Sequence, residues 1–227
     1  MEVSYGDDDV LKVHSLDDFD FKGTDIVLSS PGARVSAEYC PRAAAAGAIV
    51  IDNTSQFRMD PDVPLVVPEV NPEAVAHYRN KNIIANPNCS TIQMVVALKP
   101  LYDAVGLRRV SVSTYQAVSG AGARAMEELE QQTRNLLAGK VVEPVELPHQ
   151  IAFNVLPHIG SLKEDGYFSE EVKMRQETQK ILHAQIAIST TCVRVPVTIS
   201  HSEAVHVEFE RPMDPSAARK LLAAFPG

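Results

Sequence analysis

Apolar residues recur along the chain with two different periods, and the texture changes near residue 89. Between Asp25 and Ala85, short apolar runs alternate with stretches of helical period. "DIVLSS" (25–30), "AIVIDN" (48–53) and "NIIAN" (82–86) read as buried strands, and "PLVVPEV" (64–70) is a further apolar run. "RVSAEYCPRAAAAG" (34–47) reads as a helix ended by Gly47. Strands interleaved with helices predict βαβ units and a parallel sheet. Ligands of such sheets gather at the carboxyl ends of the strands, and the polar tails "SSPGAR", "DNTSQFR" and "NPNCST" each follow a strand there.

After Cys89 the elements lengthen. "TIQMVVALKPLYDAVG" reads as a helix, "LRRVSVSTYQAVSG" (107–120) as an alternating strand and "ARAMEELEQQTRNLLAG" as a second amphipathic helix. A Pro-containing connection leads to "SEEVKMRQETQKILHA" (169–184), which has helical period. "ISTTCVRVPVTIS" and "SEAVHVEFE" read as strands, with Pro196 at an edge or bend. The fold class expected is α/β. A parallel-sheet βαβ domain (1–88) precedes an α+β domain (89–227) with strands in antiparallel order.

Composition narrows the partners. At 227 residues the chain can bury a sizeable core. A net charge of -8 argues against a nucleic acid held by phosphate contacts, although local arginines can still reverse the field in a cleft. Cys40, Cys89 and Cys192 are too few and too scattered for a disulfide framework or a zinc site, so no metal is expected. They suit a reducing cytoplasm. The acidic start (Glu2, Asp7, Asp8, Asp9) lacks the pattern of a secretory signal, and no apolar run is long enough to span a bilayer.

Cys89 leads the candidate chemistry. A thiol in the first turn of a helix meets unpaired backbone N–H groups and the positive end of the macrodipole, which favour thiolate. Asn88 can cap that helix or donate to a developing oxyanion. Cys40 and Cys192 sit in apolar periodic elements and read as small buried hydrophobes. A thiolate nucleophile needs a proton-transfer partner, and His201 is the histidine placed where two strand patterns meet. His14, His77, His149, His158, His183 and His206 read as solvated. Arg58, rimmed by Asn53, Thr54 and Ser55, suits a phosphate or carboxylate, or a surface salt bridge with Asp60 or Asp62. Arg194, inside a β-branched strand, needs a partner or an anionic ligand. Glu170 and Lys173 are helical neighbours whose default reading is a solvated pair. "SSPGAR" and "SGAGAR" (119–124) are small-residue turns that let backbone approach a phosphate or an amide.

Together these segments resemble aspartate-semialdehyde dehydrogenases. "DIVLSSPGARVSAEY", "AGAIVIDNTSQFRMDPDVPLVVPEVN", "NPNCSTIQMVVALKPL", "VSVSTYQAVSGAGA", "EEVKMRQETQKIL" and "RVPVTISHSEAVHVEFE" match in order. The resemblance implies NADPH-dependent reductive dephosphorylation of L-aspartyl 4-phosphate to the 4-semialdehyde, through an acyl-thioester on Cys89. His201 would be the general acid/base and Gln116 would orient the thioester. Arg194 would bind the substrate carboxylate and Glu170 its amino group. Arg58, Asn88 and Lys173 would line the phosphate site. Ser119 and Gly120 would touch the nicotinamide half of NADP, with Ser30 and Gly32 of the "SSPG" turn at its phosphates or ribose. The family further implies that 1–88 is a partial Rossmann-like NADP-binding domain, that 89–227 is a truncated catalytic and dimerisation domain, and that the protein is a cytoplasmic homodimer.

The chain departs from the family pattern in places. The N-terminal strand with its "GATGxVG" turn and the C-terminal part are not in it, so a fragment is expected, with poor solubility in isolation. Ser200 stands where the family usually has Gly before the histidine, and Pro31, Ala33 and Arg34 replace a small-residue "SAGGS" turn, where Arg34 either reads a 2′-phosphate or, the preferred reading, faces solvent. Two rivals remain. One is an N-acetyl-glutamyl-phosphate reductase, whose cysteine motif usually resembles "NPGCY"; the other is a non-catalytic homologue, against which Cys89 and His201 both count.

Overall fold

The computed structural model describes residues 2–7 and 9–227. Three parallel strands form the first sheet in the order β3 (Ile26–Ser29), β4 (Ile49–Asp52), β5 (Ile83–Ala85), after an exposed hairpin of β1 (Glu2–Tyr5) and β2 (Asp9–Lys12). Helix α1 (Ala33–Ala45) connects β3 to β4 and ends before Gly47, which takes φ 102°. The 64–70 run adds a single parallel bridge, Leu65 to Ala85, beside β5. Pro64 and Pro68 have no N–H to extend that ladder, so the run stays a buried loop.

Helix α2 (Cys89–Val105) links the two halves, and Gly106 at φ 72° turns the chain into β6 (Leu107–Gln116). The second sheet has the order β7 (Ala187–Arg194), β6, β8 (His201–Phe209). Here the expectation of antiparallel order needs correcting. β6 and β8 are antiparallel, but β6 and β7 run parallel over Arg109–Gln116 and Ala187–Arg194. The reason is the long crossover, which carries α3 (Ala123–Leu137) and α4 (Ser169–Leu182) and brings the chain back to the same end of the sheet. Pro196 lies in the turn between β7 and β8, and α5 (Pro215–Ala224) closes the described chain.

One hydrophobic core runs through both halves. Val50 and Ile83 of the first sheet, Met94, Val95 and Leu98 of α2, Val110 and Val112 of β6, and Met174 and Ile181 of α4 belong to it. Helix α2 packs on β6 and β8 of the second sheet and on α4, and its start follows β5 of the first. A smaller core under α3 joins Ala125 and Leu129 to Leu147, Ile151 and Leu156. There the connection is tied down by polar side chains of α3. Glu128 accepts the N–H groups of Val145, Glu146 and Leu147 at 2.8, 2.8 and 3.1 Å, and Gln132 Oε1 accepts those of Ile151 and Ala152. Among the described residues no helix is long and apolar enough to cross a membrane.

Candidate active site

The carboxyl ends of β3, β4 and β5 open onto a cavity of about 650 Å³, closed on its other side by α4 and the end of β6. Ser30, Gly32, Arg58, Asn88, Cys89, Gln116, Ser119, Gly120, Glu170, Lys173 and Arg194 all line it, so every residue singled out in the sequence except His201 faces one space.

Cys89 begins α2. Asn88 caps that helix, its Oδ1 accepting from Ser90 N–H at 3.0 Å and Thr91 N–H at 3.3 Å, which satisfies two of the donors that a helix start leaves open. The thiol is open to the cavity. It is not biased toward thiolate, however, and this corrects the expectation from helix position alone. The cleft walls strip water from the sulfur, and the Glu170 carboxylate adds a like charge; together they push the thiol up, outweighing the N–H groups of Ser90 and Cys89. Cys40 and Cys192 are buried as expected, and burial takes the Cys192 thiol to about 12.

Glu170 sits at the floor, buried rather than solvated. Its Oε1 accepts from Asn88 Nδ2 at 2.8 Å and Gln116 Nε2 at 3.1 Å, and Oε2 pairs with Lys173 at 3.3 Å. Burial alone would raise this carboxyl, but Lys173 and the two amide donors hold it below the usual range. Gln116 is oriented in turn by Thr114, whose hydroxyl donates to Gln116 Oε1 at 3.0 Å.

Arg58 is 7% exposed, and its guanidinium is gripped on three sides. Nε donates to the Asn86 carbonyl, Nη2 to the Asn53 carbonyl and Nη1 to Glu177 Oε1 at 3.1 Å. Neither Asp60 nor Asp62 is its partner; both pair with Lys81 instead. Glu177 is a residue that sequence reasoning missed. Its other oxygen accepts the backbone N–H of Asn88 at 2.6 Å. The signal was present in the helical spacing: Glu170, Lys173, Glu177 and Lys180 fall on one face of α4 or its continuation at i, i+3, i+7 and i+10. Lys180 donates to the carbonyls of Arg58, Asp60 and Val63 at 2.7, 2.7 and 2.9 Å, fastening the Arg58 loop to the helix.

Arg194 ends β7 and donates from Nη1 to the Ala117 carbonyl at 2.8 Å. His201 opens β8 as the register partner of Gln116. Its Nδ1 accepts the Ala117 N–H at 3.0 Å, so the neutral ring carries its proton on Nε2. Burial, with Arg194 adding to it, keeps the imidazole below its ordinary value and therefore neutral near pH 7. It stands behind Gly120, where an added methyl group would lie 3.2 Å from Arg194 Nη1 and 3.4 Å from His201 Nε2. His14, His77, His149, His183 and His206 are exposed; His158 is half-buried, its ring centroid 4.5 Å from that of Phe168. Ser200, the departure beside His201, takes φ 76°, a left-handed conformation that explains a glycine preference there.

The other side of the cavity suits a dinucleotide. Gly32, at φ 96°, precedes α1 with no side chain capping the helix, which leaves its first N–H groups directed at the cavity end that Ser30 and Ala33 line. Arg34 is exposed and lines no part of it.

Comparison with known proteins adds to this geometry. The description "Semialdehyde dehydrogenase, dimerisation domain" fits residues 98–227, more than half the chain, and "Semialdehyde dehydrogenase, NAD binding domain" fits residues 3–78. The chain belongs to the semialdehyde dehydrogenase family. Within that family it is 58% identical to an aspartate-semialdehyde dehydrogenase of Aquifex aeolicus over 91% of this chain and 62% of that one. It is 54% identical to aspartate-semialdehyde dehydrogenase 2 of Vibrio cholerae, over 93% of this chain and 63% of that one. The crystal structure of Vibrio cholerae aspartate semialdehyde dehydrogenase II complexed with ASA superposes with a TM-score of 0.97 at 50% identity, covering all of this chain and 68% of that one. The chain therefore spans somewhat under two thirds of the length of these curated relatives.

Proposed function

We propose that this cleft performs the chemistry of an aspartate-semialdehyde dehydrogenase, the NADP-dependent reductive dephosphorylation of L-aspartyl 4-phosphate to L-aspartate 4-semialdehyde. The observation that carries the reading is Cys89 opening, at a capped helix start, into a cavity that holds three cations and one carboxylate: Arg58, Lys173, Arg194 and Glu170. Two recognition poles fit a zwitterionic substrate with a phosphorylated side chain. Arg194 takes the α-carboxylate, and Glu170, held ionised, takes the ammonium group. Arg58, Lys173 and the Asn88 amide receive the phosphate.

Cys89 sulfur bonds to the acyl carbon and the carbon–oxygen bond to phosphate breaks. The thiol proton leaves with the phosphate. Gln116 holds the thioester in register. When bound, the reduced nicotinamide supplies a hydride to the acyl carbon. His201 Nε2–H donates a hydrogen bond to the thioester oxygen as it gains charge, and when the oxyanion collapses to the aldehyde and the carbon–sulfur bond breaks, the sulfur takes a proton from water. Ser119 and Gly120 would hold the nicotinamide half, and Ser30, Gly32 and the open N–H groups of α1 the phosphate or ribose part. The pole-to-pole fit to an amino acid favours this over an N-acetylated substrate, which carries no ammonium group for Glu170.

Residues 1–88 supply the dinucleotide side in this reading and 89–227 the catalytic and dimerisation side. A homodimer is supported by the outer face of the second sheet. Ser111, Ser113, Tyr115, Ala204 and His206 lie on it, while α2 and α4 cover only the opposite face. Three free thiols suit the cytoplasm. The test is acylation of Cys89 by aspartyl phosphate, read as a mass increase on its peptide, together with phosphate-dependent reduction of NADP by aspartate semialdehyde. Absence of the adduct, or turnover of the acetylglutamyl substrate instead, would overturn the assignment.

A further inference from the structure

Glu177 takes no part in the chemistry proposed for the cleft, yet it is a carboxylate only 1% exposed. Burial pushes this carboxyl up, Arg58 and the Asn88 N–H oppose that, and a charge so deeply placed persists only because those bonds offset the loss of water. It has two. One oxygen meets Arg58 Nη1 at 3.1 Å, and the other accepts the Asn88 N–H at 2.6 Å, immediately before the nucleophile. A single side chain of α4 therefore spans the cationic wall of the cavity and the turn that presents Cys89.

Its effect on the cavity is electrostatic as well as geometric. Arg58, Lys173 and Arg194 carry three positive charges, against one negative charge on Glu170. Glu177 adds a second negative charge from behind Arg58 and halves the excess. The guanidinium stays in place without it, because Nε and Nη2 are held by the carbonyls of Asn86 and Asn53.

We propose that Glu177 is a positioning residue of the anion pocket, a built-in counter-ion that ties Arg58 to the Cys89 turn and limits how tightly the pocket grips phosphate. This rests on the reading of the cavity as a phosphate-releasing site, in which an arginine with no counter-ion would retain its product. A neutral amide at this position keeps the shape and removes the charge, so anion binding tightens. A purely structural role predicts the opposite sign, because a loosened Arg58 loop binds anions less well.

Alkylation of Cys89 by iodoacetamide, followed by mass spectrometry at increasing inorganic phosphate and constant ionic strength, reads this directly. Phosphate slows alkylation of the unaltered chain. In Glu177→Gln the half-protecting phosphate concentration falls about threefold or more, as removal of a close charge in a shielded site requires. Glu177→Asp, which keeps the charge but withdraws it by one methylene, falls between the two. An unchanged or higher half-protecting concentration in the folded Gln variant, with Cys40 and Cys192 still unreactive, overturns the proposal. Should the Gln variant expose those two thiols by unfolding, the Asp variant decides by the same sign. Failure of phosphate to protect the unaltered Cys89 removes the pocket itself and the inference with it, whereas protection without tightening removes the inference alone.

Discussion

Asn88 is shared between the helix that carries Cys89 and the carboxylate of Glu170: its oxygen caps α2, and its Nδ2 donates to Glu170 Oε1 at 2.8 Å. Asn88→Asp separates the two duties, because aspartate caps a helix as well as asparagine but sets a second negative charge against Glu170 and close to the sulfur. The cap survives and the thiol moves further up. Alkylation of Cys89 at neutral pH is expected to slow by about tenfold, the factor for one pKa unit, and the urea midpoint to fall, because two carboxylates then meet in a buried site that has lost a donor.

Ser200 supplies a test of backbone strain. At φ 76° it holds a conformation that costs an ordinary residue about 1 kcal/mol or more, and glycine much less. Ser200→Gly is expected to raise Tm by about 2–4 °C in a chain of this size. A fall in Tm would show that the serine is compensated elsewhere.

The pH dependence of stability has a clear source in Glu203, on the same face of β8 as His201. Burial raises its carboxyl from 4.5 to about 7, opposed only by Gln93, whose Nε2 donates to it at 2.7 Å. The folded chain therefore binds this proton more tightly than the unfolded chain. Stability contributed by the neutral form is present below about 4.5 and is lost as pH rises toward about 7. Glu203→Gln removes that loss: its Tm should exceed that of the unaltered chain at pH 8 and match it at pH 4.5. Equal gains at both values would point to packing instead.

Lys180 gives its ammonium group to three carbonyls of the Arg58 loop. Lys180→Met fills similar space and leaves those oxygens without their donor. A loss of about 2 kcal/mol in urea unfolding is expected, the scale of one charged hydrogen bond after allowance for partial exposure. Phosphate protection of Cys89 should weaken as the loop loosens. That is opposite in sign to Glu177→Gln, so the two variants check each other.

Local patterning carried the element boundaries well. The alternation of β6, the cap at Asn88 and the glycines at 47 and 106 each have a local physical cause, and the structure places strand and helix ends within a few residues of them. Long-range relations were not legible. The parallel pairing of β6 with β7 depends on where a crossover of some seventy residues returns the chain, which no period along β6 encodes. Arg58 shows the same limit. Its neighbours in sequence, Asp60 and Asp62, offered acids within reach, but its partner comes from α4 and only the folded chain brings Glu177 there. The thiol was misjudged for a related reason: a helix start is visible in sequence, whereas cleft walls and a carboxylate eighty-one residues away are not. The resemblance to a known family located the cleft residues as a set, and geometry then gave each its neighbours.

Because α2 packs on β6, β8, α4 and α5, its first residue has little latitude. Helix α4 packs against α2, so the sulfur and the α4 side chains of the cleft share one frame. Substrates would then be brought to the nucleophile rather than the nucleophile to them, and repacking Met94 or Leu98 in mid-helix would be felt as misaim at the far end.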